Sequence, residues 1–197
     1  MNQKVKIAIL ISGRGSNMKS LIEDCEKGLV PAEVGLVLSN KKDAPGLEYA
    51  QNKGIKTAVV SHKDFSDRES FDRKMHELLL QEKIDIVCLA GFMRLLSPWF
   101  VEQWMDRLIN IHPSYLPEFK GGDAVGDAIK AGAKQSGCTV HYVRAEMDSG
   151  PIIKQVRIDV LKGDRKEDLA ARILEQEHKI YPQALKIVCE DYMVLSK

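Results

Sequence analysis

Between Lys4 and Ala90, apolar runs of strand length alternate with helix-length stripes, and that alternation leaves few architectures open to the chain. Lys4–Ser12 (KVKIAILIS) is β-branched and apolar at its centre, as a strand buried on both faces should be. Met18, Leu21, Ile22, Cys25 and Leu29 then recur at i, i+3, i+4, i+7 and i+11, one stripe of a helix. Glu33–Ser39 predicts a second strand, and a short helix through Leu47 and Ala50 should stop at Gly54. Ile55–Val60 predicts a third strand. Phe71, Met75, Leu78 and Leu79 mark the next helix, and Asp85–Ala90 the fourth strand. Strand–helix–strand units repeated this often specify a mostly parallel sheet with helices on both faces.

After Ala90 the rhythm loosens. A fifth strand is expected at 107–112, ended by Pro113, which lacks an N–H for the ladder. Thr139–Val143 and Ile152–Val160 read as strands joined by the turn-rich AEMDSGP, so this end of the sheet should be mixed or antiparallel. A long helix from about Arg165 to Val188 closes the chain, with Pro182 expected to kink it. No repeat or Pro/Gly/Ser-rich linker divides the sequence. All of 1–197 therefore reads as a single α/β domain, an open twisted sheet with a Rossmann-like parallel half over 1–105 and a mixed, closing half over 106–197.

Composition narrows the partners. A formal net charge of +1 with 29% charged residues selects neither a nucleic-acid backbone nor a membrane surface. The apolar run Ile7–Ile11 is too short for a signal-peptide core or a membrane span. Cys25, Cys88, Cys138 and Cys189 are widely spaced with no C-x-x-C, so buried reduced thiols in a cytoplasmic protein are expected, and no metal site.

In open α/β sheets, ligands bind beyond the carboxyl ends of the strands. LINIHPSYLP, residues 108–117, sends Ile109 and Ile111 to one face and Asn110 and His112 to the other, at such an end. The loop SGRGSN, Ser12–Asn17, follows the first strand. Gly13 and Gly15 permit tight turns, and the helix start behind them offers free N–H groups. Ser16 or Asn17 can cap that helix or donate to a phosphate. The third glycine and the second-strand acid of a dinucleotide fingerprint are missing, so the loop suits a single phosphate. CLAGFMRLLSP, Cys88–Pro98, surrounds Arg94 with apolar groups, which is either core beside a solvated arginine or, at a strand's carboxyl end, a pocket for a flat heterocycle with an acidic tail. Asp148 stands in a turn between two expected strands.

S-G-x-G-S-N, A-G-F-M-R-L-L-S-P, N-I-H-P-S-x-L-P and D-x-G-P-I, in this order, resemble the folate-dependent formyltransferases, over nearly the whole chain from Ile7 to about Pro182. Asn110, His112 and Asp148 match the set shared by the wider superfamily, and the glycine loop is more specific to its glycinamide ribonucleotide enzymes. The resemblance implies transfer of a formyl group from N10 of 10-formyltetrahydrofolate, as co-substrate, to the amine of glycinamide ribonucleotide in purine biosynthesis. It makes 1–105 a phosphate-binding half and 106–197 a catalytic half. Attack on the formyl carbon creates an oxyanion, which needs fixed donors. Asn110 and His112 would supply them, with Asp148 favouring the charged imidazolium. Gly15, Ser16 and Asn17 would hold the phosphate, and Glu177 the ribose. Arg68, Met93, Arg94, Leu95 and Leu96 would line the folate site, with Asn110 touching both ligands. Expected partners are these small molecules, with a homodimer as an open option.

Independent support for Glu177 comes from periodicity: Leu169, Ile173, Glu177 and Ile180 share one helical stripe, so the carboxylate points inward. One stretch departs from the family, since many members carry a histidine where this chain has Asp123. His141 is expected near the site at even odds, His62 and His76 at the surface, and His178 beside the inward face of its helix. Two rivals share the catalytic trio. Methionyl-tRNA formyltransferase is expected to carry a second domain and more positive charge, and formyltetrahydrofolate hydrolase an added N-terminal domain. A non-catalytic nucleotide-binding module would not need the trio at strand ends.

Overall fold

A computed structural model describes residues 4–196 of the chain, so residues 1–3 and 197 of the expected domain lie outside the described part. Among the described residues the strands are β1 (Val5–Ile11), β2 (Ala32–Ser39), β3 (Thr57–Val59), β4 (Ile86–Leu89), β5 (Leu108–His112), β6 (Gln135–Tyr142) and β7 (Ile152–Asp159). The helices are α1 (Ser16–Glu26), α2 (Pro45–Asn52), α3 (Arg68–Gln81), α4 (Pro98–Gln103), α5 (Ala124–Lys130) and α6 (Lys166–Leu195). One seven-stranded sheet runs in the order β3-β2-β1-β4-β5-β6-β7. The pairs from β3 through β5 are parallel, and β5–β6 and β6–β7 are antiparallel.

Period-two alternation builds both faces. Ile7, Ile9 and Ile11 of β1 join Cys88 of β4 and Ile109 and Ile111 of β5 in a core closed by α1 and α6. Ala8 and Leu10, with Val87, Leu89 and Leu108, pack under Phe71, Met75, Phe100 and Trp104 of the opposite layer. Because strand order reverses between β1 and β4, the loops after those two strands open a crevice at the carboxyl edge.

Several boundaries differ from the sequence expectation for physical reasons. Helix α1 ends at Glu26, and Leu29 lies past it, 57% exposed, where Gly28 turns the chain at φ +72°. Strand β3 keeps only the three residues that pair with β2, whereas β6 starts at Gln135 because β7 extends its ladder back that far. Pro182 sits inside one continuous α6, which runs on to Leu195. Helices α4 and α5, with six and seven residues, are too short to leave a legible stripe.

Candidate active site

The glycine loop delivers its residues by one left-handed turn that glycine adopts freely. Gly15 takes φ +69° and is itself the N-cap of α1, so neither Ser16 nor Asn17 caps the helix. A Cβ at Gly15 would come within 2.9 Å of Met18 Cε. Asn17, released from capping, is 7% exposed and donates its amide N–H to Glu177 Oε2 at 2.7 Å. Its Oδ1 is buried without a partner. Glu177 is 6% exposed on α6, and burial pushes its carboxyl up from 4.5 to about 7, against the lowering effect of the Asn17 bond. The inward-facing carboxylate expected from the α6 stripe is therefore present, and the loop and the acid meet.

At the end of β5 the imidazole of His112 is held on both sides. Its Nε2 lies 2.9 Å from the carbonyl of Phe119, and its Nδ1 lies 3.6 Å from Asp148 Oδ2. The Nε2 N–H donates to the Phe119 carbonyl, and the Asp148 carboxylate faces Nδ1 at ion-pair distance. Asp148 adopts φ +52°, and the same Oδ2 accepts from Gly121 N–H at 2.9 Å, which fixes the turn that carries it. Its Oδ1 faces His141 Nε2 at 3.7 Å. His141, 2% exposed on β6 and opposite Asn110 in register, approaches the site as the even-odds expectation allowed.

His141 Nδ1 lies 2.9 Å from the Tyr142 carbonyl, so the proton of a neutral ring belongs there and Nε2 is an acceptor. Burial lowers the His141 pKa and favours that neutral ring. Asn110 Nδ2, 3.4 Å away, donates to it, which orients the Asn110 amide and leaves a second N–H and Oδ1 available. Asn110, His112 and Asp148, scattered in sequence, are thus brought into one cluster with His141 by a hydrogen bond and two close charged approaches.

The segment after β4 lies at the same carboxyl edge, between the ends of β1 and β5. Met93 and Leu95 are 72% and 52% exposed, Arg94 is exposed, and Leu96 is half-buried. Arg68, the exposed first residue of α3, lies with Arg94 close enough to Asp72 that both cations ease the charging of its buried carboxyl. Sequence reasoning missed Asp72, Ser12 and Asn40, and also the Phe119 and Gly121 backbone groups. The backbone contacts left no residue-type signal at all. Asp123 binds Lys166 at 2.6 Å and Lys130 at 3.5 Å, so it ties α5 to α6. His76 and His62, expected at the surface, are both half-buried there, His76 accepting from Trp104 Nε1 at 3.1 Å and His62 beside Asn40 Nδ2 at 3.3 Å.

Residues 5–185 match the model of the family described as formyl transferase. The chain belongs to the formyl transferase family. Its relatives include the phosphoribosylglycinamide formyltransferase of Escherichia coli (strain K12), 44% identical over 90% of this chain and 84% of that protein. The trifunctional purine biosynthetic protein adenosine-3 of Gallus gallus is 45% identical over 94% of the chain, which spans only 18% of that longer protein. Among solved structures, glycinamide ribonucleotide transformylase 1 from Symbiobacterium toebii superposes with a TM-score of 0.94 at 41% identity, covering 97% of this chain and 90% of that one. That superposition covers the single mixed α/β sheet described above.

Proposed function

We propose that this formyl transferase moves the formyl group of 10-formyltetrahydrofolate to the amine of glycinamide ribonucleotide. The carrying observation is the His112 imidazole, placed between the Asp148 carboxylate and the Phe119 carbonyl at the crevice end of β5. Gly15, Ser16 and Asn17 hold the ribonucleotide phosphate at the α1 N-terminus, where N–H groups and the helix dipole favour an anion. Glu177 accepts from the ribose hydroxyls. The folate lies along Met93–Leu96, with Arg68 and Arg94 toward its carboxylates.

In the reaction, the amine lone pair attacks the formyl carbon, a C–N bond forms and the carbonyl electrons move onto oxygen. As charge grows there, His112 Nε2–H exchanges the Phe119 carbonyl for the stronger oxyanion acceptor, and the free Asn110 N–H donates beside it. Asp148, facing Nδ1, offsets positive charge on the ring. The ammonium then gives its proton to N10, directly or through His112, and the C–N10 bond breaks to release tetrahydrofolate. The buried free thiols Cys25, Cys88, Cys138 and Cys189 fit a reducing, cytoplasmic setting. Among the described residues, no helix is long and apolar enough to cross a membrane.

An absorbance assay with the purified protein and 10-formyltetrahydrofolate, with and without glycinamide ribonucleotide, tests this. Turnover that requires the amine is expected. Deformylation without it would make the protein a hydrolase, and no turnover in either case would overturn the proposal.

A further inference from the structure

The Met93–Leu96 segment combines two properties that rarely coexist. Its apolar side chains are exposed, Met93 at 72% and Leu95 at 52%. Yet it is fastened to the protein at both ends by buried side chains from elsewhere in the chain. Ser12, 5% exposed at the end of β1, accepts from Met93 N–H at 2.8 Å and donates to Asn40 Oδ1 at 2.6 Å. Asn40 in turn reaches His62 Nδ1 at 3.3 Å, so the acceptor on Met93 is braced from two neighbouring strands. At the far end Asp72, 0% exposed on α3, accepts from Ser97 N–H at 2.6 Å, and Ser97 Oγ caps α4 by accepting from Phe100 N–H at 3.3 Å. Among the described residues no backbone N–H from Arg94 to Leu96 donates to a protein acceptor.

We propose that Ser12 and Asp72 are positioning residues that hold Met93–Leu96 as a preformed platform for the folate co-substrate, an assignment that rests on the function proposed above. Fixing a loop before its ligand arrives removes the ordering cost from binding. The device also explains a buried charge with one idle oxygen. Asp72 Oδ1 has no hydrogen-bond partner, and burial raises its carboxyl. A carboxylate kept there at such cost needs a task beyond the fold, and fastening Ser97 beside the two cations Arg68 and Arg94 supplies one. Ser12 adjoins Gly13 as well, so it connects the platform to the phosphate loop. Asp72 has no such connection, which makes it the cleaner test.

In Asp72→Ala, the KM for 10-formyltetrahydrofolate should rise about tenfold, the scale of one net hydrogen bond, with the KM for the ribonucleotide within about twofold. Asp72→Asn retains an oxygen acceptor for Ser97 N–H and should recover most of the loss. A rise in both KM values together, or in neither, would overturn the positioning role. Hydrogen exchange on the wild-type protein gives a second readout that does not depend on activity or on the folding of a variant. The Met93 and Ser97 amides should be protected while those of Arg94, Leu95 and Leu96 exchange freely. Fast exchange at Met93 and Ser97 would refute the anchoring. Failure of the wild-type protein to transfer formyl groups would instead refute the proposed function, with the exchange pattern unaffected.

Discussion

Asn17 and Glu177 stand 160 residues apart in sequence and share one buried hydrogen bond of 2.7 Å, from the α1 amide to the α6 carboxyl. The bond does not offset burial, because Glu177 still titrates at about 7. A folded-state value raised above the unfolded 4.5 gives stability that is fully present below pH 4.5 and lost as pH rises through about 7. Glu177→Gln keeps an oxygen for Asn17 and removes the titration. Urea unfolding should show the wild-type protein losing on the order of 3 kcal/mol relative to this variant between about pH 4.5 and pH 8. Parallel stability curves across that window would refute the burial argument.

Asp148 gives His112 Nδ1 its anionic acceptor at 3.6 Å. Asp148→Asn removes that charge and keeps the side chain's size, so kcat should fall by roughly 10²-fold, with both KM values within about twofold. Steady-state kinetics on both proteins decide it. An unchanged kcat would reduce Asp148 to a turn residue.

Asn110→Ala and His112→Ala should each lower kcat by roughly 10²-fold, the usual scale for one oxyanion donor. The double variant should lose less than the product of the single losses, because both groups serve one intermediate. Independent, multiplying losses would mean that the two residues act at different steps.

Gly15→Val places a β-branched residue at φ +69° with its Cβ 2.9 Å from Met18 Cε. The turn should distort, and the KM for the ribonucleotide should rise far more than that for the folate. Equal effects on both would leave the loop a folding element only.

Most of the fold was legible because the signals are strong ones. The runs in β1, β2 and β4 are buried on both faces, and the stripes of α1, α3 and α6 are continuous. The Leu169, Ile173, Glu177 stripe correctly aimed a carboxylate inward. What stayed hidden was held by backbone or by register. Phe119 carbonyl and Gly121 N–H brace His112 and Asp148, yet any residue type offers those groups. His141 reaches Asn110 only because β6 runs antiparallel to β5 in one particular register. Asp72 looked like an ordinary polar residue of an amphipathic helix, and its depth depends on α4, a helix with no periodic signature.

The four cysteines give the protein an internal clock. Cys25, Cys88, Cys138 and Cys189 all lie in the same core layer beneath α1 and α6, and burial pushes Cys25 and Cys138 up to about 12 and raises the other two. Since the thiolate is the nucleophile, a thiol reagent can react only when this layer opens. Labelling kinetics therefore time the opening of this layer, and an opening that parts α1 from α6 also separates Asn17 from Glu177. A ligand gripping both helices should slow all four reactions, which makes occupancy measurable without any turnover.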